Sequence, residues 1–210
     1  VRLTKTERAV AAAFANGAPV DLHRWPDRRI RAEALRFILL GGARNVPGRL
    51  AALHLAGAHI TGPVMLDSAD VSADLTLERC TLEGPVSVFG ARLRRLSLAG
   101  SRLPSLKAGN AVIDGNLVLD GCAFSGPVGL GGATIGGSVL LRGAALDGPG
   151  ISLDAPSLRV RRDVIAADGF TCAGAIRLDR SEISGLLSLE GATLQGSGAA
   201  FNRQSRAALD

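Results

Sequence analysis

Six segments of this chain share one rhythm: VMLDSADVSA (64–73), LTLERCTLEG (75–84), VSVFGARLRR (86–95), LVLDGCAFSG (117–126), VGLGGATIGG (128–137) and VLLRGAALDG (139–148). Each reads large-x-large, two linking residues, then small-x-large, and neighbouring segments lie eleven residues apart. The second large position recurs at Leu55, Ile60, Leu66, Val71, Leu77, Leu82, Val88, Leu93, Leu98 and Leu103, and again from Ile113 to Leu146. Steps of five and six residues match no helical period, and the strand turns of a hairpin sheet are missing. Two inward residues flanking one outward residue, followed by a corner, make one face of a β-solenoid.

Two such units give a four-faced coil of about 22 residues. Alternate faces carry a small residue ahead of the large one: Ala58, Ala69, Cys80, Ala91, Ser101, Ala111, Cys122, Ala133 and Ala144. Large side chains on all four faces would overfill a narrow interior, so alternation of size is what close packing requires. Gly62, Gly84, Gly126 and Gly136 fall at corners, where a positive φ is expected. The expected architecture is mainly β, a right-handed quadrilateral β-helix over 50–194, with a short α-helical N-terminal cap over 1–49 and a tail over 195–210. Within the cap, Thr4 and Glu7 form a T-x-x-E capping box before RAVAAAFA, and Asp27 is placed to cap RRIRAEALRFILL, which stops at Gly41-Gly42.

Charge divides the chain in the same way. Residues 1–49 hold ten Lys and Arg against four Asp and Glu, whereas 50–194 hold twelve against fourteen. The overall charge of +5 therefore belongs to the cap, and the solenoid is slightly acidic. The arginine-rich GARLRRLSLAGSRL (90–103) looks like a nucleic-acid site, but its arginines fall on outward columns. Arg92 is expected above Asp70 and Arg94 beneath Asp114, coils being about 4.8 Å apart. A nucleic-acid groove needs a continuous basic stripe with stacking aromatics, and Phe89 is the one aromatic nearby. No stretch has the roughly 18 apolar residues of a membrane span, and VRLTKTERAV is no signal peptide, so a cytoplasmic location is expected.

Other chemistries fare no better. Cys80 and Cys122 share one inward column two coils apart, too far for a disulfide, and with Cys172 they show no metal-binding spacing. His54 and His59 point outward on adjacent faces, with no third ligand in view. GLGGATIGG (129–137) lacks the G-x-G-x-x-G spacing and strand-turn-helix context of a nucleotide loop, and it stays in phase with the repeat. Short corners and the absence of Tyr count against a carbohydrate cleft. The reading therefore leans away from an enzyme and assigns no catalytic residue, cofactor or metal. One irregularity is a stretched rhythm between Leu153 and Leu178.

The five-residue unit, with a small residue two places before a central Leu or Phe, resembles the pentapeptide-repeat proteins. A closer likeness is to a family of repeat proteins from GC-rich actinobacteria, carried by a GA-x-I-x-G-x-V refrain, LTKTERAVAAAFANGAPVDL, RAEALRFILLG and GFTCAGAIRLDRSEISGLLSLEGATL. Its members often carry the label membrane-associated oxidoreductase, so the resemblance implies a redox activity as one alternative. Some pentapeptide-repeat proteins mimic duplex DNA and bind topoisomerase, which is a second, although mimicry wants a denser acidic surface than this solenoid has. The leading expectation is a non-enzymatic scaffold for protein–protein interaction, its partner another protein or a second copy. The candidate interface is on one face, where the outward residue runs His54, Thr76, Ser97, Val118, Leu140 and Ile165. The last three form an apolar stripe.

Overall fold

The computed structural model describes residues 1–42 and 48–195. It is a parallel β-solenoid of about six turns. Its outward columns define four faces. The first runs His54, Thr76, Ser97, Val118, Leu140, Ile165 and Ser188. The second runs His59, Thr81, Arg102, Ala123, Ala145, Thr171 and Thr193. The third runs Met65, Ser87, Lys107, Gly129, Asp154 and Arg177. The fourth runs Asp70, Arg92, Val112, Thr134, Arg159 and Glu182. The fourth and first faces belong to one twelve-stranded sheet, because Asp70–Glu78 and Arg92–Ser97 pass around their shared corner as unbroken strands.

The inward residues make one continuous core. Every large position from Leu55 to Leu146 that the period marks is buried, as are the small partners except Ala69, which is partly exposed. Size alternation lets the side chains pack closely in the narrow interior, where a cavity of about 20 Å³ remains among residues such as Leu141, Val164, Phe170 and Ile176.

Corners are of two kinds, and this corrects the expectation for glycine. After the first and third faces the chain makes tight turns closed by bonds such as Cys122 N–H to Leu119 O and Ala69 N–H to Leu66 O. Their third residue has positive φ, as a type II turn requires. One column of these runs Gly57, Arg79, Gly100, Gly121 and Gly143; the other runs Ser68, Gly90, Asn110, Gly132, Ser157 and Arg180. Of the four glycines expected to need positive φ, only Gly62 has it. Gly84, Gly126 and Gly136 are glycine for closeness between coils: a Cβ on Gly136 would lie 2.2 Å from Asp114 O and one on Gly126 2.8 Å from Pro104 O.

The N-terminal segment is partly strand. Helix α1 (Lys5–Asn16) starts at the expected capping box, with Glu7 N–H donating to Thr4 Oγ1 and Thr4 N–H to Glu7 Oε2, and ends at Gly17 in the left-handed conformation. Strand β1 (Pro19–Asp21) then pairs with β3 (Ala52–Ala56), extending the first face by one rung, and β2 (Arg29–Arg31) extends the second by pairing with His59–Thr61. Helix α2 is only Ala32–Phe37, followed by a π turn over Ile38–Gly42. Asp27 does not cap it: Arg31 holds the N-cap position, and Asp27 Oδ1 accepts from Arg29 N–H. The unpaired sheet edge outweighs local helix propensity at 29–31, because two ladders there have no other neighbour.

Coils measured along the first face are 22, 21, 21, 22, 25 and 23 residues long. Most of the added length enters ahead of Leu153, at the Asp147–Gly150 corner and a register shift between Ile151 and Leu153, and one further residue enters within the expected stretch, between Ile165 and Thr171. Of the tail expected over 195–210, all but Gln195 lies outside the described residues.

Candidate functional site

The first face is built by simple alternation. In each rung from His54 to Ile165 two buried residues flank the central one, and the centre and the residues two places either side lie on the outer surface, with Thr76, Ser97, Ser138 and Ala167 nearly covered there. Val118 sits between buried Leu117 and Leu119, Leu140 between Val139 and Leu141, and Ile165 between Val164 and Ala166. The structure brings the three candidate interface residues together: Val118 pairs with Leu140 and Leu140 with Ile165 on consecutive coils, and all three are half-buried.

Comparison of the four faces shows what is particular about this one. Its central column contains no Lys, Arg, Asp or Glu in seven rungs. The second face carries Arg102, the third Lys107, Asp154 and Arg177, and the fourth Asp70, Arg92, Arg159 and Glu182. Sequence reasoning singled out the apolar triplet and missed the wider pattern. Its signal was in the sequence, but reading it requires registering all four columns at once.

The surface arginines are paired across coils, with partners shifted from those expected. Arg92 lies opposite Asp70, yet its guanidinium reaches Asp114 Oδ1 at 3.3 Å; Arg94 Nε reaches Asp74 Oδ1, also at 3.3 Å, rather than Asp114. Arg side chains are long enough to choose a diagonal neighbour. Further pairs are Arg142 with Asp120 at 3.5 Å and Arg177 with Asp154 at 2.7 Å. These pairs alternate sign along the surface instead of gathering one charge.

Comparison with known proteins finds no matching family model, no matching curated protein and no matching solved structure.

The remaining reactive side chains are held in structural roles. Cys80 and Cys122 are buried, and their thiols donate to Glu78 O and Leu98 O. Burial pushes the Cys80 thiol up to about 11 and the Cys122 thiol up to about 12, and it raises that of Cys172 as well. Ser101 stands between the two cysteines in the column, its hydroxyl donating to Leu77 O and accepting from Cys80 N–H. His59 pairs with Glu83 at 2.7 Å and His23 with Asp21 at 2.6 Å, both pairs near the N-terminal end of the solenoid. His54 lines a groove of about 450 Å³ with Asp21, Thr76 and Arg79, where the first face meets β1. Among the described residues no three His, Cys, Asp or Glu converge as metal ligands. Among them, too, no helix is long and apolar enough to cross a membrane.

Proposed function

We propose that this chain is a non-enzymatic scaffold whose first face is a protein-binding surface. The observation that carries the reading is the uncharged central column with Val118, Leu140 and Ile165 at consecutive rungs, on a molecule whose other three faces each carry charge in their central column. Charge depletion at the centre of a patch is the compositional mark of an interface core, and a rigid sheet loses little entropy on docking. Mimicry of duplex DNA wants carboxylates free along a line, whereas Asp74, Asp114, Asp120 and Asp154 each have an arginine partner. Redox chemistry at a thiol wants an accessible thiolate, and the buried, raised thiols here do not favour it.

The test is the double substitution Val118→Glu with Leu140→Glu. Both side chains lie on the outer surface, so the circular dichroism spectrum stays that of the wild type. The expected result is loss of assembly by light scattering or loss of a bound protein. A double variant that keeps every partner of the wild type refutes the reading.

A further inference from the structure

We propose that the first face docks on the same face of a second copy of this chain, antiparallel, about a two-fold axis passing between the Val118 and Leu140 coils. The inference rests on the reading of this face as a protein-binding surface and names the partner.

Its ground is self-complementarity of charge. With the residues two places either side of the centre included, successive rungs present Asp74-Thr76-Glu78, Arg95-Ser97-Ala99, Asn116-Val118-Asp120, Ser138-Leu140-Arg142, Asp163-Ile165-Ala167 and Leu186-Ser188-Glu190. An isologous contact must match each surface with itself under the symmetry operation. Turning one copy over about an axis along the strand direction reverses the order of rungs and keeps each edge against its own kind. The Val118 rung then meets the Leu140 rung of the second copy, and the Arg95 rung meets that of Asp163.

In that arrangement Val118 packs on Leu140, and Ser97 lies across from Ile165. Asp120 faces Arg142, and Arg95 faces Asp163, each pair occurring twice by symmetry. Asp120 and Arg142 are already neighbours within one copy at 3.5 Å, so the dyad gathers four charges of alternating sign. Arg142 already reaches Asp168 as well, at 3.7 Å, but its side chain is 42% exposed and its five donors leave room for a carboxylate of the second copy. Arg95 is exposed and has no ion pair among the described residues, so it is available to the Asp163 carboxylate of the second copy. The cost lies at the ends, where Glu78 meets Glu190; Arg79, 3.7 Å from Glu78, moderates it.

The parallel alternative, with the axis along the solenoid, is worse. It places each rung on itself with edges exchanged, so Asp74 meets Glu78, Arg95 meets Ala99 and Asp163 meets Ala167. It forms no opposite-charge pair and sets two carboxylates together twice. Like charges in apposition are what selects against a wrong orientation.

Area sets the strength. The six rungs that meet span roughly 24 Å and the strand width is roughly 13 Å, so each copy contributes on the order of 300 Å². That lies below the roughly 1,200 Å² total of a stable interface, so a weak, concentration-dependent dimer is expected.

Sedimentation equilibrium on the full chain from about 1 µM to about 500 µM reads it. The wild type should move from monomer toward twice the monomer mass. Arg142→Asp and Asp120→Arg, each alone, bring like charges together at the dyad and should raise the dissociation constant at least tenfold. An equal mixture of the two variants should dimerise again, because each supplies the charge the other lacks. Orientation is read by oxidative cross-linking of Val118→Cys and Leu140→Cys variants: the mixed link forms in preference to either self-link. A wild type monomeric throughout, a mixture that fails to recover, or self-links in preference to mixed ones overturns the proposal. If the wild type is monomeric yet Val118→Glu with Leu140→Glu loses a different bound protein, the binding face stands and only self-pairing falls.

Discussion

Ala133 has no exposed surface and shares its small inward column with Ala91 and Ala111. Three methylene-sized groups added there have nowhere to go, so Ala133→Leu should destabilise by about 1–3 kcal/mol in chemical denaturation. Arg94→Ala, on the exposed side, should change stability by no more than about 0.5 kcal/mol. Equal effects of the two would mean that the inward and outward sets are exchanged. The thiols give a second readout at this scale. With Cys80 and Cys122 buried and held near 11 and 12, native protein should react with a thiol reagent only as fast as it unfolds. Prompt labelling at neutral pH is the contrary outcome. The inward residues were legible one by one because size and period repeat in the sequence. The ion pairs were not, since a flexible guanidinium chooses among several carboxylates within reach once the coils are stacked.

At the scale of elements, the cap is joined to the solenoid through one carboxylate. Glu7, fully buried, completes the capping box of α1 and also accepts from Arg31 N–H, Nε–H and Nη2–H, tying α1 to β2. Burial alone would raise its pKa, but the hydrogen bonds from Arg31 and Thr4 and the guanidinium charge outweigh it and hold the group at about 2. A folded pKa below the unfolded value of about 4.5 means the linkage stabilises fully above that pH. The contribution is lost as pH falls from about 4.5 toward 2. Glu7→Gln should cost on the order of 2 kcal/mol at neutral pH, part of the shift being discounted for the exposed Arg31. It should also flatten the fall in stability across that acid range, measured by urea denaturation at a series of pH values. A fall as steep as that of the wild type assigns the acid sensitivity elsewhere. The capping box was readable as T-x-x-E; the contact with Arg31, 24 residues on, was not, because nothing local encodes it.

For the whole molecule, far-UV circular dichroism should show β structure dominating over a small helical part. Helix in more than about half the chain would contradict the solenoid. The inward positions of the last described coil are less covered than those within, with Leu187 and Leu194 each more than a third exposed.

What the sequence determined by itself was the cross-section. A period of five and six, with small and large residues alternating, admits only a four-faced coil, and local sterics and packing volume enforce it. What only the tertiary structure decided is whatever depends on stacking one coil upon the next. Gly136 is glycine because Asp114 O approaches it from the neighbouring coil, not because of its own φ. Residues 29–31 are strand because an open ladder lay beside them, despite a sequence that reads as helix. The uncharged first face emerged only when four columns were set in register, since neighbours on that surface are 21 to 25 residues apart in the chain. Such contacts are fixed by the pitch of the solenoid, and no short stretch of sequence records them.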